Sequence, residues 1–345
     1  MKYNRWQIWQ KRHSWWQKYR WEFLLVVLVA ASLVWFFNVD FGKNQPPEWG
    51  LNFSQKYAAW LNNGDWQTVY TQILTDLKPE KMRLMAYWDV VEKKPGQFDF
   101  ADLDWQIEQA SQNKVQILLA IGYRVPRWPE CHMPEWAQKM STPEQQTLTL
   151  ELLQAIVERY KNNPQIIAWQ VENEPFFMQS FGLCPPVDKE FYKKEVAFVR
   201  SLDERPIYGT ESGELSTWLG TAGTADYIGT SVYRVTWNKY FDYFTYPIPP
   251  GYYYLKTQLI KAVTPVKGIV VSEMQMEPWL PGTSVWDTPI EEQLEVMGLE
   301  QFEKNIKYAQ KIGLPPVYLW GAEWWFWLKQ QGHPEIWEAA RELER

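Results

Sequence analysis

The stretch WQVENEPF, residues 169–176, is a short β-like apolar run that closes on a carboxylate, Glu174. A second run of the same character, VVSEMQMEPW at residues 270–279, reaches Glu273, 99 positions further on. The fold must explain what would bring two such strand ends together. Working outward, short strand-like runs stand at 50–53, 82–86, 115–121, 166–171, 206–208, 227–231, 268–272 and 317–320. Helical patterns lie between them, near 66–77, 103–112, 143–161, 189–202, 214–220, 254–263, 290–312 and 336–343. In the third helix Thr142 is placed to cap, Pro143 fits the first turn and Gln145 completes a capping box. Leu148, Leu152, Ile156 and Tyr160 form its apolar face. This alternation, with no second composition regime, predicts an α/β (β/α)8 TIM barrel over 49–345. A doubly wound sheet is the alternative, but no Gly-rich phosphate loop follows the first strand. In the barrel, Glu174 and Glu273 fall just past strands four and seven, at the face where such folds gather their sites.

At 345 residues and 46% apolar, the chain can bury one large core. Its net charge of −6, from 41 acids and 35 bases, argues against nucleic acid as a partner. The charge is uneven. Lys2, Arg5, Lys11, Arg12, Lys18 and Arg20 all precede a charge-free run, FLLVVLVAASLVWFF, at residues 23–37. Fifteen helical residues span about 22 Å, short of the roughly 30 Å hydrocarbon core, but flanking residues lengthen the run. Glu22 and Asp40 would lie near the interfaces, and Trp15, Trp16, Trp21 and Trp35 suit interfacial anchoring. A signal-anchor, a cleaved signal peptide and a buried core helix compete. The basic lead argues against the core helix, and no A-x-A-like site follows the apolar run. The expected organisation is a basic cytoplasmic segment (1–22), one transmembrane helix (23–41), a linker (42–48) and an extracytoplasmic barrel. Secretion after cleavage is the alternative. Cys131 and Cys184 could pair outside the cytoplasm, with no geometry to decide it.

With Asn173-Glu174 after strand four and a glutamate after strand seven, the chain resembles the retaining glycoside hydrolases of the (β/α)8 clan that includes families 5 and 42. The passage YWDVVEKKPGQFDFADLDW at residues 87–105 is similar to the one following strand two in those families. The resemblance implies that Glu174 is the acid/base and Glu273 the nucleophile. It also implies that Asn173 bonds the sugar 2-hydroxyl, Arg83 steadies the nucleophile, Tyr233 hydrogen-bonds it, and Trp320 forms a platform at the end of strand eight. The chain departs from family 5 in having Ser231 where a histidine is frequent, and Tyr123 near the place of another.

The chemistry is coherent without the resemblance. One carboxyl gives a proton to the leaving oxygen while the other attacks the anomeric carbon, and in a retaining site they stand about 5–5.5 Å apart. At that range the charge of Glu273 should keep Glu174 protonated. Rival carboxylates are Glu172, which strand alternation would send the same way as Glu174, and Glu211, Glu277 and Glu323 near other strand ends. Of 23 tryptophans, Trp88, Trp128, Trp136, Trp237, Trp279, Trp320, Trp324 and Trp325 follow strands and are candidates for stacking on sugar faces. The aromatic stretch at 237–254 would wall the cleft or rest on a membrane. With His13, His132 and His333 alone, and no paired-histidine motif, no metal or other cofactor is expected. The expected function is retaining cleavage of β-linked poly- or oligosaccharides. A carbohydrate-binding barrel without turnover and a transglycosylase are the alternatives.

Overall fold

The computed structural model describes residues 5–177, 184, 187–280 and 284–343. The side chains of 5–16 and 38 lie outside that description, and with them the expected positions of Trp15 and Trp16. Eight parallel strands close a barrel: β1 (Trp49–Phe53), β2 (Lys81–Met85), β3 (Gln116–Ile121), β4 (Ile166–Val171), β5 (Ile207–Glu211), β6 (Tyr227–Val232), β7 (Gly268–Gln275) and β8 (Val317–Trp320). Each strand pairs with the next, and β8 returns to β1. The expected barrel is therefore the fold.

The strands are nearly continuous apolar runs because both faces are covered, one by helices and one by the barrel interior. Leu118, Ala168 and Tyr318 form a packed cluster, with Tyr208 against it. Two residues further along β4 and β5, on the same side of each strand, apolar side chains give way to Gln170 and Thr210. That switch from apolar to polar filling prepares the site.

β7 runs three residues beyond its expected end, so Glu273 lies within the strand rather than after it. The pairing of β6 with β7 also slips by one. Thr230 pairs with Val271, yet Ser231 pairs with Glu273. Ser272 is thus the extra residue of a bulge, which shifts the side-chain alternation by one and re-aims Glu273.

Several helices differ from expectation. The helix Thr142–Tyr160 is capped one residue earlier than expected, by Ser141, whose capping box is completed by Glu144 rather than Gln145. Its expected face holds, with Leu152, Ile156 and Tyr160 buried. The helix expected at 214–220 is a turn followed by the short helix Leu219–Ala222. Residues 290–312 form two helices, Ile290–Met297 and Leu299–Ile312, broken where Gly298 is extended (φ −86°, ψ −178°). The aromatic stretch begins in an antiparallel hairpin, Val235–Asn238 with Asp242–Thr245, and ends in the helix Pro250–Val263.

The N-terminal basic and apolar segments form one helix, Arg5–Asn38. Within it Gln17–Phe37 has a mean hydropathy of 1.9 and none of it is buried, which removes the core-helix alternative. This helix is long and apolar enough to cross a membrane.

Cys131 and Cys184 are bonded, tying the loop after β3 to the loop after β4 across a sequence separation of 53. Replacing both by serine is expected to cost about 2–4 kcal/mol, mainly by freeing the unfolded chain. Urea denaturation of oxidised protein and double variant checks this; equal midpoints would contradict it.

Candidate active site

The site grows from one guanidinium. Arg83, on β2, is fully buried and spreads its donors across the barrel. Nε donates to Gln170 Oε1 (2.6 Å), Nη2 to Asn173 Oδ1 (2.8 Å), and Nη1 to both Glu273 Oε1 (2.7 Å) and Asn52 Oδ1 (3.1 Å). Asn52 holds the bulge in turn, donating to the Ser272 carbonyl at 3.0 Å. The second oxygen of Glu273 accepts from Tyr233 Oη at 3.3 Å. Arg83, Tyr233 and Asn173 thus meet around Glu273.

Beyond Val171 the chain leaves β4 through two left-handed residues, Glu172 (φ 56°) and Glu174 (φ 43°). Such torsions are costly for residues with a side chain and persist only where their surroundings hold them. Here the Glu174 amide donates to Thr210 Oγ1 (2.8 Å), and the Thr210 hydroxyl donates to Asn173 Oδ1 (3.0 Å). The result separates two carboxylates that simple alternation would send the same way. Glu172 turns to the β3 loop and accepts from the amides of Tyr123 (3.1 Å) and Arg124 (2.7 Å). Its space is cleared by Gly122 (φ 123°), where a Cβ would come within 2.3 Å of the Glu172 carboxylate. Burial lifts the Glu172 carboxyl to about 7, and burial with the charge of Glu172 holds the neighbouring Glu195 carboxyl well above its ordinary value.

Glu174 instead accepts a hydrogen bond from Ser231 Oγ at 2.9 Å. Ser231 also pairs in register with Glu273, so one residue of β6 hydrogen-bonds the first glutamate and neighbours the second along the sheet. Burial first, then the charges of Glu273 and Glu130, push the Glu174 carboxyl up to about 8. Glu130 sits in the β3 loop, ion-paired with the buried Arg124 at 2.9 Å. Sequence reasoning overlooked Gln170, Thr210 and Glu130. The first two carry a signal in retrospect, being polar residues inside otherwise apolar strands. Glu130 carries none, since a loop residue has no periodicity.

Other expected residues lie elsewhere. Trp88 is no sugar platform: it is fully buried, edge-on to Trp136, and donates to Glu92 Oε2 at 2.7 Å. Trp324 and Trp325 are likewise core residues, donating to Gln293 and to the Met276 carbonyl. Trp320 closes the end of β8, but its ring lies under the Arg127 guanidinium, 4.2 Å from the centroid, and only 5% of it is exposed. It is therefore a covered ring rather than an open platform. Trp279 stands edge-on to Tyr233, with centroids 5.7 Å apart. Arg127 is ion-paired with both Glu277 and Glu323, and Glu211 accepts from Thr221, so these three carboxylates have structural partners. Among the described residues no group of three His, Cys, Asp or Glu side chains is placed to hold a metal ion.

Comparison with known proteins places this geometry. The sequence signature of the β-galactosidase family, glycoside hydrolase family 42, matches residues 64–244. The β-galactosidase BgaA of Clostridium cellulovorans is 25% identical over 168 residues, covering 43% of this chain and 25% of that protein. The β-galactosidase LacZ of Lactobacillus acidophilus is 26% identical over 104 residues, 25% of this chain and 16% of that one. The chain thus spans a quarter or less of the length of the curated relatives it matches. Among solved structures, the β-galactosidase of the psychrophilic Marinomonas ef1 superposes with a TM-score of 0.52 at 12% identity, covering 79% of this chain and 53% of that one. The protein GH5_18 of Bifidobacterium longum gives 0.57 at 11% identity, covering 79% and 69%. At such identities the likeness is one of fold.

The raised Glu174 carboxyl sets a pH dependence of stability. The folded state keeps this proton to about pH 8, whereas the unfolded chain releases it near its ordinary value of 4.5. The unfolded state therefore binds fewer protons between those values, and stability falls as pH rises through that window. Glu174→Gln removes this loss, so its stability relative to the parent should increase from pH 4.5 to pH 8. Urea midpoints across the range check it; a pH-independent difference would contradict the buried, protonated carboxyl.

Proposed function

The chain belongs to the β-galactosidase family, glycoside hydrolase family 42, and from that membership we propose that it cleaves terminal or internal β-galactosidic bonds with retention. The observation that carries the reading is a pair of buried carboxylates close enough for the charge of one to raise the proton affinity of the other. One carboxyl, Glu273, is gripped by Arg83 and Tyr233; the other, Glu174, is held with its affinity for a proton raised.

In the first step a Glu273 oxygen attacks the anomeric carbon as the bond to the leaving oxygen breaks, and Glu174 gives that oxygen its proton. The bonds from Arg83 and Tyr233, one to each oxygen, orient the Glu273 carboxylate and leave it lone pairs with which to attack. Forming the glycosyl ester neutralises Glu273, removing one of the charges that hold the Glu174 proton. Glu174, now a carboxylate, takes a proton from water as that water attacks the anomeric carbon, and Glu273 leaves. Two inversions give net retention. Asn173, fixed by Arg83 and Thr210 through its oxygen, has its amide donors left for the sugar 2-hydroxyl. Interception of the ester by a second sugar instead of water would give transglycosylation from the same residues.

We also propose that Arg5–Asn38 anchors the barrel to a membrane, with the barrel on the extracytoplasmic side. The disulfide supports this placement, because such bonds persist in oxidising compartments. So does the packing at the helix exit, where Phe41 stacks on Tyr254 with centroids 4.4 Å apart and Phe36 lies edge-on to Phe41.

Three measurements test these readings. Glu273→Ala is expected to lower turnover of aryl β-galactosides by about 10⁴-fold or more, with the fold retained; near-parental activity would overturn the assignment. Glu174→Ala is expected to spare substrates with activated leaving groups and to cripple natural disaccharides, since only the latter need the proton. Equal losses would remove the acid role. For the anchor, carbonate washing of membranes should leave the chain in the pellet with its N-terminal helix intact. A soluble product beginning after the apolar run would establish secretion instead.

A further inference from the structure

A row of rings leads away from the cleft. Arg127 lies between Trp320, at 4.2 Å, and Tyr57, at 3.7 Å. Tyr57 stacks on Trp60, with centroids 5.7 Å apart and planes within 19°. Trp60 meets Trp286 edge-on at 6.1 Å, and Trp286 meets Trp327 at 5.6 Å. At the far end is a cavity of about 260 Å³ between the helices Gln55–Leu61 and Ala322–Gln330.

Three properties of this cavity fit a sugar. Trp286, in the lining, is 48% exposed and suited to stacking on the C–H face of a pyranose, and Trp60, 46% exposed, stands edge-on to it. The lining adds side-chain amides from Asn62, Asn63, Gln330 and Gln331, which offer donors and acceptors for sugar hydroxyls, and one carboxylate, Asp65, which accepts from the Thr68 amide. Finally, Trp327 is 4% exposed, and its Nε1 has no hydrogen-bond partner; nor has the buried Asn62 Oδ1. Buried polar atoms are ordinarily paired, and both of these unpaired atoms belong to residues that line the cavity.

We propose that this cavity is a second binding site for neutral saccharide, remote from the carboxylate pair, which holds the distal part of a glycan whose other end lies in the cleft. The proposal rests on the glycosidase reading for the nature of its ligand. The row of rings joins the two regions through the packed protein, and the family supplies the probe, β-1,4-galacto-oligosaccharide.

The test uses the full chain in detergent carrying Glu273→Gln to suppress turnover, titrated calorimetrically with a galactobiose and a galactohexaose. Trp286→Ala, a change at a half-exposed ring, should weaken hexaose binding about tenfold or more while leaving biose binding within about twofold. Trp286→Phe should restore most of the loss. Unchanged hexaose affinity, or no hexaose binding at all, overturns the site. Equal weakening of both sugars overturns it too, because Trp286 would then support the cleft itself. Trp286-dependent hexaose binding in a chain that turns over no aryl galactoside would keep the site and discard the glycosidase reading, so the two failures are separable.

Discussion

The active face of this barrel depends on the placement of one buried positive charge. Arg83 reaches Glu273, Asn173, Gln170 and Asn52 at once, so β1, β2, β4 and β7 are bound to a common group. A guanidinium out of water is tolerable only when its donors are met by oxygens in good geometry, and removing one partner of such a pair is worth about 3–5 kcal/mol. Glu273 supplies the one opposite charge among the partners of Arg83, and Gln170, Asn173 and Asn52 meet its other donors. Stability and chemistry are therefore linked through the same ion pair. The rigid, planar fork also explains why lysine would be no substitute.

Around that charge, the backbone departs from regularity in two places, and both departures aim carboxylates. The bulge at Ser272 re-aims Glu273 so that it stands opposite Ser231. The left-handed torsions at Glu172 and Glu174 send neighbouring acids to different destinations, one into a nest of amides and one to the Ser231 hydroxyl. Local strain is held by tertiary bonds from Thr210 and from the β3 loop. The disulfide between Cys131 and Cys184 fastens that loop, which also carries Glu130 and Arg127. The electrostatic setting of Glu174 is thus built from two strands, which carry Glu273 and Ser231, and the β3 loop, which carries Glu130 and Arg124.

Much of this was legible in the sequence. Eight apolar runs between helical patterns are enough for a barrel, because parallel strands covered on both faces must be apolar throughout. Asn173-Glu174 and Glu273 stood out because acids at the ends of such runs are expensive to bury without a purpose. What failed to show depended on register or on burial. A bulge leaves no mark when Ser272 could sit in any strand, and the break at Gly298 was hidden inside a long helical pattern. Trp88, Trp324 and Trp325 follow strands, as a platform would. Nothing in the order of residues tells a ring turned to the core from one turned to the cleft. Arg127 over Trp320 was equally invisible, since it joins a loop to a strand end almost two hundred residues away.

The central claim is that Glu273 makes a covalent bond to the sugar. Incubation with a 2-deoxy-2-fluoro galactoside bearing a good leaving group slows breakdown of that ester more than its formation, and digestion with mass spectrometry then locates the label. The account predicts stoichiometric, time-dependent inactivation with the added mass on the peptide that contains Glu273. A label on any other carboxylate, or turnover that gives the inverted anomer with no label, would contradict it.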